Sequence, residues 1–311
     1  MASGKTQAAY DYFIAQGFKP ITKNDIALLK QYSQDPKLMQ LTAAMTVNWA
    51  TQTNSICKEI MGYLCSAWFV NDSPYFAIVG NNKTKADPKS IVDALYDLCL
   101  QAGLSNLCID CIDEQQLKLW DTIDAYTINV EHHRDLDDYV YTPQDILNLA
   151  GKENEYRRRR VNKFKNMQDI NFCSLNTDNF QRCFEIEKEW CTTQDCPACR
   201  AGFGCAKESL VSMHDIFNPA LYQGALAFMG EKPVAYAIWE TTPQKKTFLY
   251  FVKSTVDNFN TYWYYILANS YLKDVHSINV GADGGIEGLR HFKTIVAKHH
   301  SHKYCLCTFT K

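Results

Sequence analysis

Apolar residues recur every three to four positions over residues 7–17 and 24–34, the spacing of a helix with one buried face, and Asn24 stands where the second helix needs a cap. Residues 64–69 and 75–79 instead read as two strands joined at Asn71-Asp72-Ser73-Pro74, a hairpin turn. Pro88 opens a helix bearing Ile91, Leu95, Leu98 and Leu100, and residues 106–112 read as a strand. The second half repeats this order. Thr142-Pro143 is expected to start a long helix reaching about residue 167, followed by a strand at 172–175 and a helix at 179–190. Strands at 222–229 and 234–240 turn on Gly230-Glu231-Lys232-Pro233, and a further strand covers 247–252. A helix at 262–272, a strand at 278–280, a helix at 286–297 and a closing strand at 304–309 complete the pattern. The polar run Arg134-Asp135-Leu136-Asp137-Asp138 marks the boundary, giving domains 1–138 and 139–311, the second expected to carry the functional cleft.

With 311 residues, 46% of them hydrophobic and 21% charged, the chain can bury a large core and suits two α/β domains better than one. A net charge of −2 excludes a surface coated in basic residues, so any nucleic-acid contact must be local. The first residues lack the apolar core of a signal peptide, and the least polar run, 60–70, is too short to span a bilayer. A cytoplasmic chain with no integral membrane segment is therefore expected. Thirteen cysteines, an odd number without an export signal, read as reduced thiols. Cys57, Cys65, Cys99, Cys108 and Cys111 sit singly in apolar runs, where cysteine acts as a small hydrophobe. Cys191, Cys196, Cys199 and Cys205 are clustered and could hold zinc or an iron–sulfur cluster, against the plainer reading of a reduced loop. His299, His300 and His302 read as a polar turn after a helix.

The densest chemical signal is Gly285-Ile286-Glu287-Gly288-Leu289-Arg290, between a strand and an amphipathic helix. Glycines there allow close approach, a helix N-terminus favours an anion, and Arg290 adds a planar cationic fork. A turn with two glycines serving packing alone is the competing reading.

A second segment, Tyr139-Val140-Tyr141-Thr142 through Asp145 to Gly151-Lys152, precedes Arg157-Arg158-Arg159-Arg160, Asn162 and Phe164. Together with the run from Asn279 through Asp283 to Arg290, and with Asn48-Trp49 near the start, this order resembles a domain of unknown function (DUF2156) related to the C-terminal part of phosphatidylglycerol lysyltransferases. The resemblance implies two tandem acetyltransferase-like (GNAT) domains, each a mixed central sheet flanked by helices. Departures fall at Gly281-Ala282, Arg160, Trp239 and Val252-Lys253-Ser254, which leave the hydrophobic pattern intact but alter the site.

Acetyltransferase-like folds cradle the pyrophosphate of an acyl-CoA on a glycine-rich loop after a central strand. Neither Gly80-Asn81-Asn82-Lys83-Thr84 nor Lys253-Ser254-Thr255-Val256 has that pattern, whereas an aminoacyl-tRNA donor, as used by the lysyltransferases, needs no such loop. Zinc enters only through the cysteine cluster. Arg157–Arg160, Lys163 and Lys165 could meet tRNA phosphates, with a solvated helix end as the alternative. Arg158 and Asn162 match the family pattern and are the candidate binding residues there. Glu240, Asp283 and Glu287 are the candidate acid–base residues, Glu240 because a carboxylate closing an apolar strand can have its pKa raised, whereas Glu287 also reads as a helix N-terminal residue that satisfies free amides. Asn279, Gly285, Gly288 and Arg290 are the remaining candidate binding residues. The expected function is transfer of an acyl or aminoacyl group to an amine or hydroxyl. The alternative is a non-catalytic binding module that kept the fold.

Overall fold

The computed structural model describes residues 4–70, 73–81, 83–84, 86–120, 123–193, 206–296 and 301–311. The chain opens with helix α1 (Gly4–Ala15), strand β1 (Lys19–Pro20), helices α2 (Ile26–Tyr32) and α3 (Ala43–Thr53), then strands β2 (Ile56–Ile60), β3 (Tyr63–Val70) and β4 (Ser73–Gly80). Helix α4 (Pro88–Gln101), strand β5 (Leu107–Ile112), helix α5 (Glu114–Trp120) and strand β6 (Thr127–His132) follow. Caps fix the helix starts: a Thr22–Asp25 capping box lies just ahead of α2, and Asp87 accepts the Ser90 N–H before Pro88 sets the first turn of α4.

The second set begins with β7 (Asp138–Tyr141), α6 (Pro143–Asn148), α7 (Glu155–Lys165), β8 (Ile170–Ser174), α8 (Gln181–Thr193) and α9 (Ala206–Ile216). It continues through β9 (Gln223–Met229), β10 (Lys232–Thr241), β11 (Lys246–Ser254), α10 (Asn260–Ile266), β12 (Ser277–Asn279), α11 (Glu287–Val296) and β13 (Ser301–His302), and the chain ends in β14 (Cys305–Thr310). The single helix expected over 142–167 is a correction: Leu149 (φ 42°) and Gly151 (φ 90°) leave the helical region and split it into α6 and α7. The helix expected at 262–272 forms as α10 prolonged by a π-helical turn, Leu267–Tyr271.

Among the described residues two seven-stranded mixed sheets form, ordered β1-β2-β3-β4-β5-β14-β6 and β13-β7-β12-β11-β10-β9-β8. Each has four antiparallel strands joined to the rest by one parallel pair, β4 with β5 and β11 with β12. Their sixth strands are exchanged in sequence. β7 follows β6 along the chain yet pairs with β12, and β14 follows β13 yet lies between β5 and β6. The compact units are therefore 1–136 with 302–311, and 137–301. The closing strand of the sequence, placed with the second half from order alone, completes the first sheet because its Cys305, Cys307 and Phe309 fill the core around Trp120 and Tyr126. The second core gathers Phe164, Phe259, Tyr262 and Trp263 against β9–β12, with Phe172 stacked on Trp263 at 5.9 Å. Among the described residues no helix is long and apolar enough to cross a membrane.

Candidate functional site

Strands β11 and β12 pair at Lys246 with Ser277, Thr247 with Ile278 and Phe248 with Asn279. β12 stops there while β11 runs on to Ser254, so the two parallel strands part at their carboxyl ends. Such a crevice is where α/β sheets bind ligands. Just beyond the parting, Leu249 faces Trp239 and Phe251 faces Ile238, leaving Tyr250 as the extra residue of a β-bulge. Its hydroxyl donates to Glu240 Oε2 at 2.9 Å. Glu240, Phe248, Asn279 and Val140 form one register row across β10, β11, β12 and β7, so their side chains share a face of the sheet.

Asn279 ties the end of β12 to its surroundings. Its Nδ2 donates to Asp138 Oδ2 at 2.8 Å, and its Oδ1 accepts the Gly281 N–H at 2.8 Å. The chain then turns through Gly281 (φ 67°), Gly284 (φ 59°) and Gly285 (φ 75°) into α11. Gly285 has the left-handed backbone that favours glycine, whereas a Cβ at Gly288 would meet open space. Glu287 and Ile286 are exposed beside it.

Asp283 is the centre of this turn. Arg290 donates to it from Nε and Nη2, both at 2.9 Å, the Tyr139 hydroxyl at 2.7 Å and the Gly285 N–H at 2.9 Å. Burial would raise the carboxyl's pKa, but hydrogen bonds from Arg290, Tyr139 and Gly285 together hold it well below the usual range. Lys293, one helical turn on from Arg290, donates its Nζ to the carbonyls of Val280 (2.6 Å), Gly281 (3.0 Å) and Ala282 (2.7 Å). Burial pushes its pKa down to about 8, opposed by Asp138 and Asp283. The pattern reading missed Lys293, although its three-residue spacing from Arg290 places both on one helix face.

The arginine run serves several directions. Arg157 points inward and donates to the Phe292 carbonyl at 2.7 Å. Arg158 donates to the carbonyls of Leu149 and Gly151, closing the turn between α6 and α7. Arg159 pairs with Glu155, and Arg160 lies over the Tyr156 ring and bonds its hydroxyl. Asn162 is exposed on α7. The structure thus brings Asn279, Asp283, Gly285, Glu287, Gly288 and Arg290 into one turn, with Glu240 in the same register row as Asn279, while Arg158 addresses the α6–α7 turn.

A further buried cluster had no motif to announce it. Glu187 is 1% exposed, accepts from the Tyr236 hydroxyl at 2.7 Å and lies 3.6 Å from Lys253, whose ammonium sits 3.2 Å from the centre of the Trp190 ring. Burial, reinforced by Glu187, pushes the Tyr236 hydroxyl well up. Cys191 is half-buried and 3.9 Å from Glu187, whereas Cys196, Cys199 and Cys205 lie outside the described residues, as do His299 and His300. Among the described residues there is no group of three His, Cys, Asp or Glu placed for a metal ion.

In the two loops where a coenzyme A pyrophosphate would sit, several described amides are already bonded within the protein. In the first unit a cavity of about 290 Å³ opens beside the end of β4, and among the described residues its lining, with Tyr63, Ile78, Asn81, Thr84, Gln116 and Trp120, includes no cation. The Asn81 and Lys83 amides there are bonded to Thr84 Oγ1 and Asn81 Oδ1. After β11, the Thr255, Val256 and Phe259 amides bond to Val234 O, Ser254 Oγ and Val256 O. Amides spent in this way cannot meet a phosphate.

The family model "Phosphatidylglycerol lysyltransferase, C-terminal" matches residues 79–307. Among solved structures, a conserved protein of unknown function from Bacteroides thetaiotaomicron is 22% identical, with 94% of this chain and 99% of that chain covered and a TM-score of 0.82. L-PGS from Bacillus licheniformis is 11% identical over 94% of this chain and 92% of that one, with a TM-score of 0.66. The C-terminal domain (DUF2156) of a putative lysylphosphatidylglycerol synthetase from Agrobacterium fabrum is 11% identical over 92% and 91%, with a TM-score of 0.65. No curated protein matches the chain. These likenesses carry the fold, two α/β units each built on a mixed sheet flanked by helices. The chain belongs to the family of phosphatidylglycerol lysyltransferase C-terminal domains, a family of acyl and aminoacyl transferases.

Proposed function

We propose that this protein moves an aminoacyl group from an aminoacyl-tRNA to an amine or hydroxyl acceptor, in the crevice where β11 and β12 part. One observation supports the choice of donor: in both loops available to a coenzyme A pyrophosphate, the amides of Asn81, Lys83, Thr255, Val256 and Phe259 are bonded to the protein's own oxygens. An aminoacyl ester makes no demand for that cradle. The family description points to lysyl as the first aminoacyl group to test and to phosphatidylglycerol as the first hydroxyl acceptor.

In this reading Glu240, oriented by Tyr250, takes the proton of the attacking amine or hydroxyl. The acceptor adds to the ester carbonyl, the bond to the tRNA ribose breaks, and the proton passes to the departing ribose oxygen. Arg290 meets an anionic part of donor or acceptor beside the first-turn amides of α11, at Glu287 and Gly288. Asp283, held ionised, acts as the positioning residue for Arg290 rather than as a base. Asn279 and Gly285 shape the turn, and Arg158 with Asn162 borders the α7 surface that would meet tRNA phosphates.

Thermal-shift titration tests donor choice. A ligand at 100 times its dissociation constant stabilises by about 2.7 kcal/mol. The shift is expected with charged tRNA and not with acetyl-CoA or longer acyl-CoAs, and the opposite order would overturn the proposal.

The rival reading, a non-catalytic module, is favoured by the commitment of Arg290 to Asp283 and of Arg158 to backbone carbonyls. Binding of charged tRNA without any loss of its aminoacyl group would establish that rival.

A further inference from the structure

Arg157 is 7% exposed, on the inward side of α7. Its Nη2 donates to the Phe292 carbonyl at 2.7 Å, and its carbon lies 4.6 Å from the centre of the Phe292 ring. Among the described residues its buried Nη1 has no hydrogen-bond partner, and no carboxylate pairs with this cation. A buried charge is costly unless it is paired and its donors are met. The lost proton that would relieve this cost for a lysine is not available to an arginine.

Arg157 lines a small cavity of about 10 Å³, about the least that holds one water-sized occupant. Tyr141, Leu149, Thr261, Tyr264 and Phe292 line it together with Arg157. Thr261 and Tyr264 are three residues apart on α10 and so present their side chains on one face. The Arg157 N–H and the hydroxyls of Thr261 and Tyr264, beside a Tyr141 hydroxyl already donated to the Lys293 carbonyl at 3.2 Å, form a donor-rich hole whose described lining carries no negative charge. We propose that this cavity is a binding site for one small monovalent anion, of halide size, which serves as the counter-ion of Arg157. Arg157 bridges α7 to the Phe292 carbonyl of α11, the helix that carries Arg290 and Lys293. The bound anion therefore steadies the seating of that helix.

The test is thermal unfolding at constant ionic strength, with sodium gluconate replaced stepwise by fluoride, chloride, bromide or iodide. A saturable rise of about 5–10 °C is expected for the ions that fit, at 100 times the dissociation constant, falling away as the ion outgrows the hole. Arg157→Gln and Tyr264→Phe should abolish and weaken the response. Crystals of the unaltered protein soaked in bromide give a readout independent of variant folding, with an anomalous peak expected within hydrogen-bond distance of Nη1. A water at Nη1 with no bromide there, or a melting temperature that is flat or drifts linearly without saturation in every halide, would overturn the proposal.

Discussion

Arg290 holds Asp283 by two hydrogen bonds of 2.9 Å, from Nε and Nη2 to the two carboxylate oxygens, across the turn that leads from β12 into α11. Asp283 is buried and Arg290 partly exposed, so removing the arginine strands a buried carboxylate. Arg290→Met is expected to cost about 3 kcal/mol, the low end for a broken buried pair because the arginine is partly solvated. Arg290→Lys should recover the charge but not the fork. Urea unfolding of the three proteins measures both effects.

The same pair sets an acid limit. Asp283 has a folded pKa below its unfolded value of about 3.9, so its stabilisation is fully present above that value and is lost as pH falls through the folded one. The stability advantage of wild type over Asp283→Asn should be level from neutrality to about pH 5 and shrink below about pH 4. An advantage unchanged down to pH 2.5 would remove the ionised carboxylate from this account.

Lys293 has the reverse sign. Its folded pKa of about 8 lies below the unfolded value of about 10.4, so the unfolded chain binds more protons across that window and stability rises with pH there. Lys293→Met removes three hydrogen bonds to backbone carbonyls and should cost about 2–3 kcal/mol at neutral pH. The difference from wild type should widen between pH 8 and pH 10.

The exchanged strand makes a regional prediction. Phe309→Ala in β14 should cost about 3–5 kcal/mol, and hydrogen exchange should quicken in β5 and β6 rather than in β10 and β11. Faster exchange in the second sheet instead would contradict the pairing.

Much of this was legible along the chain because it is local. The hairpin of β3 and β4, the Pro88 helix start and the glycine turn before α11 all follow from turn chemistry and short periodicities. Gly151 was a readable stop signal within the long helical pattern, but the left-handed Leu149 before it was not, since leucine rarely takes that conformation. β7 has four residues with Tyr139 and Tyr141 on its core face, too short for alternation to declare itself. The strand character of β14 was visible, yet its sheet depends on pairing with residues almost two hundred positions away. Asp283 and Arg290 stood out as chemistry, but their mutual commitment is a matter of geometry. Glu187 lies in no motif that the sequence announces, and its place on α8 with buried Cys183 and Ile186 puts it on the inner face.

The most direct test of aminoacyl transfer is a single-turnover assay, with protein in excess over labelled lysyl-tRNA and phosphatidylglycerol vesicles or a soluble amine as acceptor. The label is expected to leave the tRNA and appear on the acceptor, with Glu240→Gln slowing this by about 10²–10⁴-fold and acetyl-CoA giving no product. Label that stays on the tRNA with every acceptor, or consumption of acetyl-CoA in its place, would contradict the account.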